Sequence, residues 1–209
     1  MAGKLITRRR ALVSIASGLI GSQTFAAANL RTPAQTEGPF YPRSLPPETD
    51  NNLLDLAGKQ AAGQIINLTG TIMDSNGKPI PNAVVEIWQA NHWGRYSHPG
   101  DRSDRKRDPN FQGYGTFLSS TAGQYSFRTI KPGSYGGTFF RRTPHIHFKL
   151  HGPDFDPLTT QMYFSNEKLN AQDSILQSVR NPELRSGLIT NFDKAKNDEL
   201  TGVFNIVLG

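Results

Sequence analysis

The 209-residue chain contains no cysteine. Disulfide frameworks, thiolate nucleophiles and cysteine-based zinc or iron–sulfur sites are thereby excluded. Apolar residues are also scarce: hydrophobic side chains make up 36%, too few for a multi-span membrane protein. No block of like charge dominates. The formal net charge is +6, but Lys4, Arg8, Arg9 and Arg10 supply four of those charges from residues 1–28, and the remainder carries only +2. The other basic run, Arg102-Ser-Asp-Arg-Lys-Arg107, is interrupted and flanked by Asp101 and Asp108. It reads as a solvated loop, not a nucleic-acid surface. What the chain does have is 20 Gly and 14 Pro spread along its length, the composition of many short strands joined by turns.

Residues 1–28 read as a targeting segment. Thr7-Arg-Arg-Arg-Ala-Leu-Val13 precedes a modest apolar stretch to about Gly21, and Ala26-x-Ala28 offers a cleavage site. The adjacent arginines and weak hydrophobicity resemble a twin-arginine signal. The apolar part is too short to span a bilayer. The expectation is a periplasmic or secreted protein with no stable membrane insertion.

Residues 29–63 are polar and proline-rich, and they predict an extended arm around Thr32-Pro-Ala-Gln-Thr-Glu-Gly-Pro-Phe-Tyr-Pro42. Strand signals begin at Gln64. Gln64–Asp74 is rich in β-branched residues, Asn76-Gly77 signals a hairpin turn, and Ala83, Val85 and Ile87 alternate onto one face. Further strands are predicted over Gln124–Ile130, Pro144–Leu150, Leu158–Phe164 and Val203–Leu208. Only residues 172–198 leave room for helix, and Asn181-Pro182 divides that segment in two. The pattern predicts a mainly β protein, a sandwich of mostly antiparallel strands over residues 64–209.

His145-Ile-His147-Phe-Lys149-Leu150 carries the strongest chemical signal. On a strand, Ile146, Phe148 and Leu150 share one face and His145 and His147 the other. Two histidines so placed suit a metal ion of unspecified kind, or none. A cupin would place a Glu shortly after the second His, where His151 and Gly152 stand. Glu37, Glu86 and Asp154 are the acids nearest to a carboxylate site, and none has convincing spacing. Tyr96 and Tyr135 fall in loops next to strand ends, where side chains are readily aimed at a site. Each taken singly reads first as an aromatic lid on the core. A phenolate is a hard anionic donor, better suited to Fe(III) than to Fe(II) or Zn(II). Tyr125 and Tyr163 lie within strand patterns and read as core or edge residues. Tyr114 stands between glycines in a predicted loop.

Val84-Val-Glu-Ile-Trp-Gln-Ala-Asn91, Gly94-Arg-Tyr96, Thr129-Ile-Lys-Pro-Gly-Ser-Tyr135, Arg142-Thr-Pro-His-Ile-His-Phe148 and Thr160-Gln-Met-Tyr-Phe164 fall in an order and spacing that resemble the intradiol ring-cleavage dioxygenases. The pattern looks most like the β-type catalytic subunits of the protocatechuate-cleaving branch, and it runs from about Thr36 onward. The resemblance implies that Tyr96, Tyr135, His145 and His147 hold one Fe(III). It also implies cleavage of a catechol-type ring by O2 between its two hydroxylated carbons, giving a cis,cis-muconate-type product. Tyr135 is then the tyrosinate that leaves when substrate binds. Arg142 stabilises charge on the ring, and Gln161 is a polar residue on the dioxygen side.

Two departures leave the substrate within that class open. Residues 29–63 have no room for the helical dimerisation domain of catechol-specific members. Tyr135 is followed by Gly136-Gly-Thr138, not by the aromatic and basic residues of protocatechuate-specific subunits. The resemblance allows self-association or an α-type partner subunit. It also leaves open whether Phe40 or Tyr41 faces the pocket. The stretch from Gly70 to Val85 separately resembles the opening of transthyretin-like and carboxypeptidase-regulatory-like sandwiches, which are binding modules without catalysis.

Overall fold

A computed structural model describes residues 30–54, 59–137, 140–195 and 197–209. The predicted signal segment, residues 1–28, lies outside them. The described chain is mainly β, with two sheets facing each other across one apolar core. β1 (Ile65–Asp74) is the spine of the first sheet. It pairs antiparallel with β4 (Gln124–Ile130) on one side. On the other it pairs parallel with β11 (Leu200–Val203) and then β12 (Ile206–Leu208), while β10 (Phe192–Lys194) extends the edge beyond β11. The second sheet has the order β3-β2-β7-β8-β9, from β2 (Val84–Trp88), β3 (Tyr114–Leu118), β7 (His145–Gly152), β8 (Phe155–Phe164) and β9 (Ile189–Thr190). A separate two-stranded ribbon joins β5 (Tyr135–Gly136) to β6 (Arg141–Arg142).

The alternation predicted from sequence sets which face is buried. Ile66, Leu68 and Ile72 of β1, Val85 and Ile87 of β2, and Ile146, Phe148 and Leu150 of β7 all belong to the core and are fully buried. That burial is the main driving term for the sandwich. The opposite face of β2 and β7 carries Glu86, Trp88, His145 and His147, so the functional side chains stand on a rigid, core-backed sheet.

Several elements differ from expectation for physical reasons. The 203–208 segment is two strands: at the break, the Asn205 side-chain oxygen accepts from the Thr71 amide at 3.0 Å in place of a ladder bond. The Asn76-Gly77 turn is present, with Gly77 at φ +81°. Its return limb makes only a Met73–Pro79 bridge before crossing to the second sheet, because Pro79 and Pro81 cannot donate to a ladder. Tyr114 opens β3 and does not lie in a loop. Among the described strands, β1–β11, β1–β12 and β8–β9 pair in parallel, and the other ladders are antiparallel.

The 172–198 segment contains two short helices, α1 (Ser174–Ser178) and α2 (Pro182–Gly187). Asn181 caps α2 through its side chain, with Pro182 in the first turn. The segment also holds β9 and β10 in place of further helix. Among its described residues, the proline-rich region before β1 forms no helix or strand of its own, yet Leu53 and Leu54 are buried in the core.

Candidate metal centre

His145 and His147 leave the outer face of β7 and are 2% and 1% exposed. They lie beneath a second aromatic layer of Trp88, Tyr96 and Tyr114, with Phe40, Tyr41 and Tyr135 packed against it. His145 Nδ1 lies 2.6 Å from the Thr143 carbonyl. A carbonyl only accepts, so Nδ1–H donates and the Nε2 lone pair faces inward. His147 stacks on Trp88 at 4.7 Å between ring centroids and 9° between planes. Its Nε2 stands 3.2 Å from that of His145. Burial, with help from the Arg142 guanidinium, pushes His145 down to about 3 and His147 well below the usual histidine range. Both are therefore neutral donors.

The two tyrosines arrive on loops that pack against each other. Asn91 organises the first loop: its side-chain oxygen accepts from the Trp93 and Arg95 amides. The Asp101 carboxylate accepts from the Tyr96 amide at 2.8 Å. Gly94, at φ +80°, lets this loop approach the second, since a Cβ there would lie 2.3 Å from the Ser134 carbonyl oxygen. The neighbouring Tyr135 is thus set with its ring centroid 5.3 Å from that of Tyr96, edge to face, and 5.5 Å from that of His145. Burial raises the ionisation range of both phenols. The Tyr135 hydroxyl adds to the rise at Tyr96, and the Arg142 charge opposes it at both.

The donor set fits a ferric ion. Two imidazole nitrogens converge, two phenols stand beside them, and the Tyr96 hydroxyl is buried with no hydrogen-bond partner among the described residues. A multivalent cation at this point inverts the local titration, favouring two phenolates in a pocket that otherwise keeps them protonated. Among the described residues, no three His, Asp or Glu side chains are grouped to share a cation. The acids weighed from sequence are engaged or placed elsewhere. Glu37 pairs with Lys149, Glu86 accepts from Tyr41 and Tyr114 and pairs with His151, and Asp154 is exposed.

Arg142 lies directly across the β5–β6 ribbon from Tyr135. It is 2% exposed, and it donates to the Tyr135 hydroxyl at 3.4 Å and to Gln161 Oε1 at 2.6 Å. Its exposed neighbour Arg141 points elsewhere. Gln161 faces His147 in the β7–β8 register, and its amide donates to the Thr36 carbonyl at 2.9 Å.

Sequence reasoning missed Asp173, whose buried carboxylate pairs with Arg142 at 2.8 Å. An Asp ahead of Ser-Ile-Leu was readable as a helix cap, but nothing local announced Arg142 as its partner. The alternative between Phe40 and Tyr41 is also resolved. Phe40 stacks on Tyr96 at 4.6 Å and meets Tyr135 edge-on at 6.0 Å. Tyr41 turns away, and its hydroxyl donates to Glu86 at 2.6 Å. Gly38, at φ +72°, passes over His147, where a Cβ would sit 3.4 Å from the ring. Thr36–Tyr41 thus roofs the cluster.

The chain is similar to known proteins in sequence and in fold. A family model described as Dioxygenase matches residues 36–209. The protocatechuate 3,4-dioxygenase beta chain of Burkholderia cepacia is 44% identical over 154 residues, covering 70% of this chain and 65% of the relative. The alpha chain of that enzyme from Pseudomonas putida is 30% identical over 182 residues, covering 82% and 86%. The chain spans 61% and 49% of the length of two catechol 1,2-dioxygenases from Acinetobacter species. Among solved structures, an intradiol ring-cleavage dioxygenase from Tetranychus urticae superposes with TM-score 0.68 at 26% identity, covering 87% of this chain and 95% of that one. The chain belongs to the intradiol ring-cleavage dioxygenase family.

Proposed function

We propose that this protein cleaves the ring of a catechol-type substrate with dioxygen, between the two hydroxylated carbons, to a cis,cis-muconate-type product. Tyr96, Tyr135, His145 and His147 would hold the ferric iron. The observation that carries the proposal is the convergence of two neutral imidazoles and two phenols in a buried pocket, one phenol having no hydrogen-bond partner among the described residues. The chemistry that ferric iron supplies when bound is Lewis acidity toward a catecholate, which makes the ring reactive toward dioxygen.

The chain's own residues supply the rest. Tyr135 is less buried than Tyr96, and as phenolate its oxygen accepts a catechol proton. Arg142, held against Tyr135 and Gln161, places a permanent positive charge where negative charge develops on the ring. Gln161 is a polar group braced between Arg142 and the arm. Phe40 and the arm keep bulk water from the cluster. A metal-free binding module has no use for this buried set of donors, so the transthyretin-like alternative is not favoured.

Iron-loaded protein is expected to be red-brown from tyrosinate-to-iron charge transfer. It should consume O2 with at least one member of a panel of catechol, protocatechuate, hydroxyquinol and alkyl- or chlorocatechols. Colourless, iron-free protein after iron-replete expression sinks the proposal. Tyr135→Phe is expected to keep part of its iron and to slow turnover by about 10²-fold or more, the usual contribution of a positioned base. Unchanged kinetics in that variant would remove Tyr135 from the assignment.

Relatives named as beta and alpha chains of one enzyme support assembly with an α-type partner or with further copies of this chain. The arginines and short apolar stretch of residues 1–28 support export through the twin-arginine route. The arm at 29–63 and the sandwich at 64–209 then form the exported enzyme.

A further inference from the structure

Asp173 stands outside the four-ring cluster and is fully buried, yet its oxygens accept four hydrogen bonds that run in two directions. Oδ1 takes the Ile175 and Leu176 amides at 3.1 and 3.0 Å and caps α1. Oδ2 takes Arg142 Nε–H at 2.8 Å and the Thr143 amide at 3.0 Å. That second oxygen reaches the site twice. With Nε–H engaged, the guanidinium plane is fixed, and its Nη1 and Nη2 are the groups that reach Tyr135 and Gln161. The Thr143 backbone, anchored by its amide, offers the carbonyl that holds His145 Nδ1–H at 2.6 Å.

Helix capping alone does not call for a buried charge. A neutral amide caps equally well, and Asn181 does so on α2. The carboxylate is matched instead to a guanidinium, with a fixed geometry that a Lys partner could not reproduce.

We infer that Asp173 is a positioning residue, which sets the Arg142 guanidinium against Tyr135 and Gln161 and secures the Thr143 carbonyl that orients His145. The inference rests on the ring-cleavage reaction proposed above. Asp173→Asn keeps an oxygen for the helix cap and loses the acceptor for Arg142 and Thr143. In iron-loaded protein, D173N is expected to lower kcat about 10–100-fold, the range for loss of an outer partner, with a smaller change in KM. In an Arg142→Met background the same substitution is expected to cost less in kcat, since only the contact through Thr143 is then left to lose. In metal-free protein, nitrogen-resolved NMR should show the Arg142 Nε–H protected from solvent exchange in the parent and exposed in D173N. The Ile175 and Leu176 amides should stay protected in both.

An equal loss of kcat in both backgrounds overturns the inference, because none of the effect would then pass through Arg142. So does an unchanged kcat in folded D173N. Should D173N not accumulate, the parent protein decides. An Arg142 Nε–H exchanging as fast as a surface arginine overturns the contact on which the inference stands. A parent protein that is inert toward every catechol overturns the reaction itself, a result read without any Asp173 variant.

Discussion

His147→Ala is expected to give a folded protein that takes up no stoichiometric ferric iron, shows no charge-transfer colour and consumes no O2 with catechols. The ring lies on the outer face of β7, while its neighbours Ile146 and Phe148 hold the strand in the core. Truncation there removes a donor without touching the inner packing. The stability loss should stay within about 1–3 kcal/mol, the common range for a single buried change. The metal loss should be far larger. Losing an outer partner of a ligand typically costs 10–100-fold in affinity, and here one of the four proposed donors goes. His145 cannot compensate, since its Nδ1–H is held by the Thr143 carbonyl and only Nε2 faces the site. Elemental analysis, the visible spectrum and urea unfolding would read the three quantities separately. A His147→Ala protein with full iron content and colour would place the metal elsewhere.

Arg142→Met is expected to separate differently, keeping iron while losing both turnover and stability. The side chain and its partner Asp173 are 2% and 0% exposed, so removing one charge leaves the other buried without compensation. Breaking such a pair costs about 3–5 kcal/mol, large against the marginal stability of a domain. Turnover should fall by about 10²–10³-fold, as when one preorganised donor to a charge-developing transition state is removed. Urea unfolding and oxygen uptake on iron-matched samples would measure both. Arg142→Met with unchanged kcat but lowered stability would restrict Arg142 to a structural role.

The parts of this molecule legible in the sequence were those written locally. His145-x-His147 shows its geometry because period two on β7 sends Ile146, Phe148 and Leu150 to the core. β4 was readable at its full length because it has clear turns at both ends. What escaped depends on distant pairing or on side chains replacing regular structure. β3 was hidden because Gly113 and Gly115 flank Tyr114 and blur its alternation. Asn205 divided one apparent strand through a side-chain bond to Thr71. Asp173 meets Arg142 across 31 residues, and no local pattern links them. Phe40 and Tyr41 could not be told apart because the arm has no periodicity. Separate contacts with Tyr96 and Glu86 orient them.

The roof over the cluster also has a bearing on the order of assembly. Thr32, Pro33 and Thr36 are bonded to Val207, Thr160 and Gln161, partners 125 to 175 residues away. Pairings of such high sequence separation form late and slowly. While a nascent chain lengthens, the segment that covers His147 therefore waits for strands synthesised long after it. The roof is secured only once β8 and β12 are in place, so the pocket is closed by the joining of early and late segments.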